Sequence, residues 1–188
     1  VEERLLDKIA EPFNLNLPEY TSMEQMIDEI LPVVKQFSEN SLEDKGEDGL
    51  LFKVNWVKMS DQPGYTVVSL HAFQPGGEIR IANDGAMDVS SFKILGAKRI
   101  IIGDSMYRNS FLYELAFLDN DFLIFKRHGN EANIQDKYLF YCSEPIGSRL
   151  TWDEALEKLV GKYRDNQMPW LLILFVLIVV IAVIVYLR

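Results

Sequence analysis

The chain of 188 residues has one cysteine and two histidines. A lone Cys142 leaves no internal disulfide framework, which suits a reducing compartment. Neither His71 nor His128 has a second ligand at a spacing such as HxxxH or CxxC. Zinc sites need three or four ligands, so no metal is expected. A phosphate-binding glycine loop, a dinucleotide fingerprint and a nucleophile elbow are all missing, and Gly76 with Gly77 signals only a turn. No cofactor and no catalytic residue is therefore expected. Cys142 ends the apolar run YLFYC, a setting for a buried thiol and not for an activated one. Asp119 and Asp121 lack the glycine and terminal glutamate of a twelve-residue calcium loop and read as a hairpin turn. Asp88 and Asp104 have similar turn-like surroundings. Basic pairs are sparse (Lys98 with Arg99, Lys126 with Arg127), which argues against a nucleic-acid partner.

The longest apolar run lies at the other extreme of composition. Residues 170–187 read WLLILFVLIVVIAVIVYL, with no charge, amide, glycine or proline. As a helix they would cover about 27 Å. Fifteen of the seventeen residues 171–187 are Leu, Ile, Val or Phe, which favours insertion by roughly 5 to 9 kcal/mol. This predicts a transmembrane anchor over 168–188, opened by Pro169 and marked by Trp170, Phe175 and Tyr186. Its position in the chain is not that of a signal peptide. Arg149, Lys158, Lys162 and Arg164 precede the run and Arg188 follows it, so the charge bias places the rest of the chain on the cytoplasmic side.

The net charge of −9 belongs to residues 1–50, which hold thirteen acids and four bases. This quarter reads as helical. Met23, Met26, Ile27, Ile30, Leu31, Val34 and Phe37 recur at spacings of three and four, with Thr21 or Ser22 as N-cap, and Pro32 is expected to kink or divide the helix. A shorter amphipathic stretch precedes it, and residues 38–49 read as an exposed acidic linker. From residue 50 the texture is β. Runs at 50–59, 65–73, 78–82, 91–95, 99–102, 111–118, 122–127 and 137–142 are rich in β-branched and aromatic residues and are separated by turn signals. Thr151 and the acids after it predict a closing helix. The expected class is α+β: an antiparallel β meander forming a small sandwich or barrel, with N-terminal amphipathic helices, a C-terminal helix and one transmembrane helix. The divisions are 1–49, 50–166 and 168–188.

Residues 103–130, GDSMYRNSFLYELAFLDNDFLIFKRHGN, resemble hairpins of small bacterial β domains. That resemblance implies a bacterial source and, with the anchor, a bacterial inner membrane. The expected function is that of a non-catalytic, single-pass, tail-anchored accessory or scaffold subunit presenting a cytoplasmic β domain to partners. Those partners would be integral membrane protein subunits and the lipid bilayer. The alternative is a membrane-anchored module for a lipid or apolar ligand, with Trp56, Phe73, Phe111, Phe117, Phe122 and Phe140 lining a cavity or filling a core. Met23, Met26, Ile27, Ile30 and Phe37 are the candidates for docking a partner, because methionine-rich faces adapt to other surfaces. The same stripe would equally pack on the β domain.

Overall fold

The computed structural model describes residues 20–43, 48–64, 67–105, 108–129 and 136–164. Two compact units divide the chain: 20–157, and a second of which residues 158–164 are described. In chain order the elements are α1 (Met23–Val34), a 3-10 turn (Lys35–Phe37), α2 (Leu50–Lys53), β1 (Trp56–Lys58), β2 (Ser69–Gln74), β3 (Glu78–Asn83) and β4 (Ala86–Gly96). There follow β5 (Arg99–Ser105), β6 (Arg108–Leu118), β7 (Phe122–Arg127), β8 (Tyr138–Ser143), α3 (Glu144–Gly147) and α4 (Trp152–Arg164).

The eight strands form a closed antiparallel barrel in sequence order. β8 returns to β1 through Trp56↔Ser143, Val57↔Cys142 and Lys58↔Tyr141, so no edge strand remains open. Local chemistry sets the turns. Between β3 and β4, Asp84 and Gly85 both have positive φ, 45° and 85°, as a two-residue hairpin loop requires. Eight strands enclose a lumen that side chains can just fill. Trp56, Phe73, Phe92, Ile100, Phe125 and Tyr141 belong to one continuous core inside it. Phe73 meets Phe92 edge-on at 5.2 Å and Tyr141 at 6.2 Å.

α2 stoppers one end of the barrel. Leu50, Leu51 and Phe52 join the core together with Leu42 and Val54, and the Trp56 Nε1–H donates to the Leu51 carbonyl at 3.1 Å. α1 covers part of the outer wall. Ser22 caps it by accepting the Glu24 N–H at 3.2 Å, and its stripe Met23, Met26, Ile27, Ile30 and Val34 is buried. Pro32 falls in the last turn and does not divide the helix, which runs on to Val34. The clamp to β8 is polar: the Lys137 amide donates to Glu24 Oε1 at 2.6 Å, Lys137 Nζ lies 2.7 Å from Asp28 Oδ2, and the Tyr138 hydroxyl donates to Asp28 Oδ1 at 2.6 Å. Partial burial pushes the Asp28 pKa up, but these donors and the lysine charges outweigh it and hold the carboxyl below its ordinary value. Every residue of β8 and the first four of β7 are buried. Outward-facing Phe122 and Phe140 stack at 6.4 Å.

This architecture corrects the expected one. The predicted anchor, with Trp170, Phe175 and Tyr186, lies outside the described residues. Among the described residues no helix is long and apolar enough to cross a membrane. The longest, α1 and α4, have 12 and 13 residues, about 18 to 20 Å of helix, whereas a span needs about 20 apolar residues. Both also carry acids, among them Glu24, Asp28, Asp153 and Glu154. The β meander closes into an eight-stranded antiparallel barrel with short amphipathic helices, and the transmembrane helix that completed the expected class is not among the described residues. The tail-anchored accessory subunit, its integral-membrane and bilayer partners, and its placement on the cytoplasmic side of an inner membrane all depended on that anchor and are withdrawn with it. The anchored apolar-ligand module also fails on packing. Trp56 and Phe73 fill the lumen, Phe117, Phe122 and Phe140 are buried, and Phe111 is exposed under the Arg127 guanidinium at 3.6 Å. The strand expected over 50–59 is also divided, because Leu50–Lys53 coils into the plug before β1 begins.

Gly103 marks a close approach of β5 and β6. A methyl there would stand 2.4 Å from the Asn109 carbonyl oxygen and from Ser110 Cα, and the Ser90 and Ser91 hydroxyls both donate to its carbonyl, at 2.8 and 3.0 Å. Gly103→Ala is expected to cost about 1 to 3 kcal/mol by overpacking. Urea unfolding would register this as a lower midpoint at unchanged slope. A midpoint equal to the parent's would show that β5 and β6 separate without strain.

Candidate functional site

Away from α2 the barrel interior turns polar. Lys58, Ser69 and Asn83 stand side by side on β1, β2 and β3, paired in register as Lys58↔Ser69 and Ser69↔Asn83. Strand alternation puts them on the same inner face as Trp56, Phe73 and Ile79. His71 lies two residues further in. Its Nε2 is 2.9 Å from Ser69 Oγ, and its ring meets Tyr141 edge-on at 5.3 Å. Burial, and secondarily the Lys58 charge, push the His71 pKa down to about 4, so the imidazole is neutral at pH 7. Burial likewise pushes the Tyr141 hydroxyl well above its ordinary value, with Tyr113 adding to the effect.

A serine against a histidine has the outline of a nucleophile and its base, but the third member is missing. His71 Nδ1 is buried without a hydrogen-bond partner, as is Asn83 Oδ1, so no carboxylate orients the ring. Ser69 is itself buried. The other titratable residues singled out by sequence are also engaged structurally. Asp119 Oδ1 accepts the amides of Asp121 and Phe122 at 2.8 and 2.7 Å, closing the β6–β7 turn. His128 Nδ1 lies 3.6 Å from Glu114 Oε1, which also faces Arg99 Nε at 3.5 Å. Asp88 accepts its neighbour's amide at 2.8 Å. Cys142 is fully buried. Among the described residues no three His, Cys, Asp or Glu side chains gather as a metal site.

Open space lies on the outside of the barrel. A groove of about 450 Å³ runs between the β1–β2 connection, including Met59, Val67 and Val68, and the α3–α4 connection, including Arg149, Leu150 and Trp152. A second hollow of about 420 Å³ separates α1 from β6 and β7, where Asp28, Lys35, Glu114 and Lys126 balance one another in sign. Of the docking candidates, Met23, Met26, Ile27 and Ile30 are buried and Phe37 is half-buried. Trp170, Phe175 and Tyr186 lie outside the described residues. Sequence reading did not bring the groove residues together. Its two walls stand far apart in the chain and share no motif. No protein-family model matches the chain, and no curated protein matches it.

The His71 environment makes stability depend on pH. Its folded pKa is about 4 and its ordinary value 6.5, so below pH 6.5 the unfolded chain takes up the proton first and stability falls as pH drops toward 4. Between pH 7 and pH 5 this single group is expected to remove about 2 kcal/mol. Urea midpoints at the two pH values measure it, with His71→Asn subtracting the contribution of the carboxylates. An identical pH slope in the variant would place the histidine in water.

Proposed function

We propose that the barrel is a non-catalytic binding module that engages a partner protein with its outer surface. The observation that carries this reading is the filling of the lumen. Aromatic and aliphatic side chains occupy it from the α2 plug to the Lys58–Ser69–Asn83 row, and buried small-molecule sites ordinarily need about 300 Å³ or more of enclosed space. The outside, by contrast, carries large apolar side chains in water. Met87 and Val89 on β4 are 70 and 59% exposed, and Val68 beside the groove is 41% exposed. Such side chains recover the hydrophobic free energy only when something covers them.

The titratable groups support the same reading from the chemical side. General acid–base work requires groups tuned toward neutral pH and placed within reach of a substrate. His71 titrates near 4 in the interior, where it serves packing.

The test is cross-linking of the full chain in extracts of its own source, followed by mass spectrometry of the linked peptides. Links from outer residues such as Lys93 or Lys98 to one partner, at constant stoichiometry across preparations, are the expected result. A chain that elutes alone and unlinked at its native concentration would overturn the proposal.

A further inference from the structure

We propose that the barrel wall carries an acid-operated seam: protonation of His71 parts β1 from β2, while β1 stays on β8 and the other strands remain paired. Geometry singles out this seam. β1 meets β2 over only three residues, Trp56↔His71, Val57↔Leu70 and Lys58↔Ser69, whereas β2 and β3 pair over six. On its other side β1 is reinforced. The Met59 amide adds a bond to the Phe140 carbonyl at 2.9 Å, the Glu144 amide donates to the Asn55 carbonyl at 3.0 Å, and Gly147 of α3 lies against Val57. A disturbance that parts the wall here leaves β1 with β8 and α3.

His71 sits on that seam, directly opposite Trp56. Its side chain is 8% exposed. Nε2 is engaged with Ser69 Oγ at 2.9 Å, and Nδ1 has no hydrogen-bond partner among the described residues. The groups facing the ring are Lys58 from β1 and Tyr141 from β8, with Tyr113 of β6 acting on Tyr141. From β3, register brings Ile81 and Asn83 alongside. None of these is a carboxylate. Lys58 itself has no ion-pair partner among the described residues. A proton on His71 therefore creates a buried charge beside a like charge with no anion to compensate it, and such a charge is relieved most directly by reaching water. Moving β1 off β2 carries Lys58 away and wets the ring in one motion.

Linkage sets the direction. His71 titrates near about 4 in the closed barrel against an ordinary 6.5, so the closed seam is fully favoured above pH 6.5 and loses that advantage as pH falls toward 4. From pH 7 to pH 5 the opened population is expected to rise about twentyfold. Parting also frees the backbone groups on the β1 side of β2, an edge that the closed barrel hides.

Hydrogen exchange of the full chain tests the seam, followed amide by amide by NMR at pH 7 and pH 5 in low urea and corrected for the intrinsic pH dependence. The Met59 amide points to β8, so alternation turns the amides of Trp56 and Lys58, and of Ser69 and His71 opposite them, into the β1–β2 ladder. Leu115 and Phe125, paired between β6 and β7, report another part of the wall. The seam amides are expected to exchange about twentyfold faster at pH 5 than at pH 7, with a urea dependence well below that of Leu115 and Phe125. His71→Asn is expected to lose nearly all of this acceleration. Seam amides that exchange only in step with Leu115 and Phe125, at the same urea dependence, would show global unfolding and overturn the inference. An acceleration that is absent from the parent, or that persists in His71→Asn, overturns it as well. The parent alone decides if that variant does not fold: His71 ring resonances that titrate above pH 6 would show an imidazole already in water, and no seam to open.

Discussion

Three residues close this molecule. β1 is only Trp56–Lys58, yet it must pair with β2 on one side and β8 on the other for the sheet to become a barrel. A strand this short contributes few ladder bonds, so the seam is held by its surroundings. The Met59 amide extends the ladder to the Phe140 carbonyl at 2.9 Å, and the Glu144 amide donates to the Asn55 carbonyl at 3.0 Å. Asn55 Nδ2 returns to Glu144 Oε2 at 3.2 Å. α3 presses so closely on β1 that a methyl on Gly147 would stand 2.5 Å from Val57 Cβ. Glycine is required there by contact and not by backbone conformation.

Closure explains the distribution of everything else. Once β8 is bonded to β1, inner side chains from all eight strands face one another across a narrow lumen, and the core fills it. Trp56 can then serve as both wall and anchor for the α2 plug, because its indole N–H reaches the Leu51 carbonyl. The outer faces of β7 and β8 are left apolar and need cover, which α1 supplies. Its clamp of Asp28 with Lys137 and Tyr138 is only partly exposed to water, and charge-assisted bonds of this kind are stronger than neutral ones. Among the described residues no helix covers the opposite wall, around β4.

Several of these features are legible in residue order. Runs rich in β-branched and aromatic residues over 122–127 and 78–82, interrupted by turn residues, mark the strands found at Phe122–Arg127 and Glu78–Asn83, because such side chains suit a strand and turn residues break the run. The spacing of Met23, Met26, Ile27 and Ile30 marks one helix face for the analogous reason of period 3.6. Other features carry no local signal. The division of residues 50–59 into a plug and a short strand follows from where the open end of the barrel lies. The register shift between Leu115 and Phe117 carries Leu118 into the same core as Leu115, an odd spacing that strict alternation would not put on one face. Lys58, Ser69, His71 and Asn83 resemble four unrelated polar residues until pairing sets them side by side.

Composition and periodicity by themselves determined the absence of a metal or nucleotide motif, the acidic first quarter, the buried face of α1 and the approximate positions of the strands, since each of these is a property of neighbours in sequence. The tertiary structure alone decided that β8 meets β1, that the core fills the lumen, that His71 is buried beside Ser69 and Tyr141, and that Arg149 and Trp152 line the same groove as Val67 and Val68. The physical reason is that closure couples strands far apart in the chain. A period of two specifies which side of a strand is apolar, but which side chains then meet depends on pairing, register and shear, and those are settled only when the last strand finds the first.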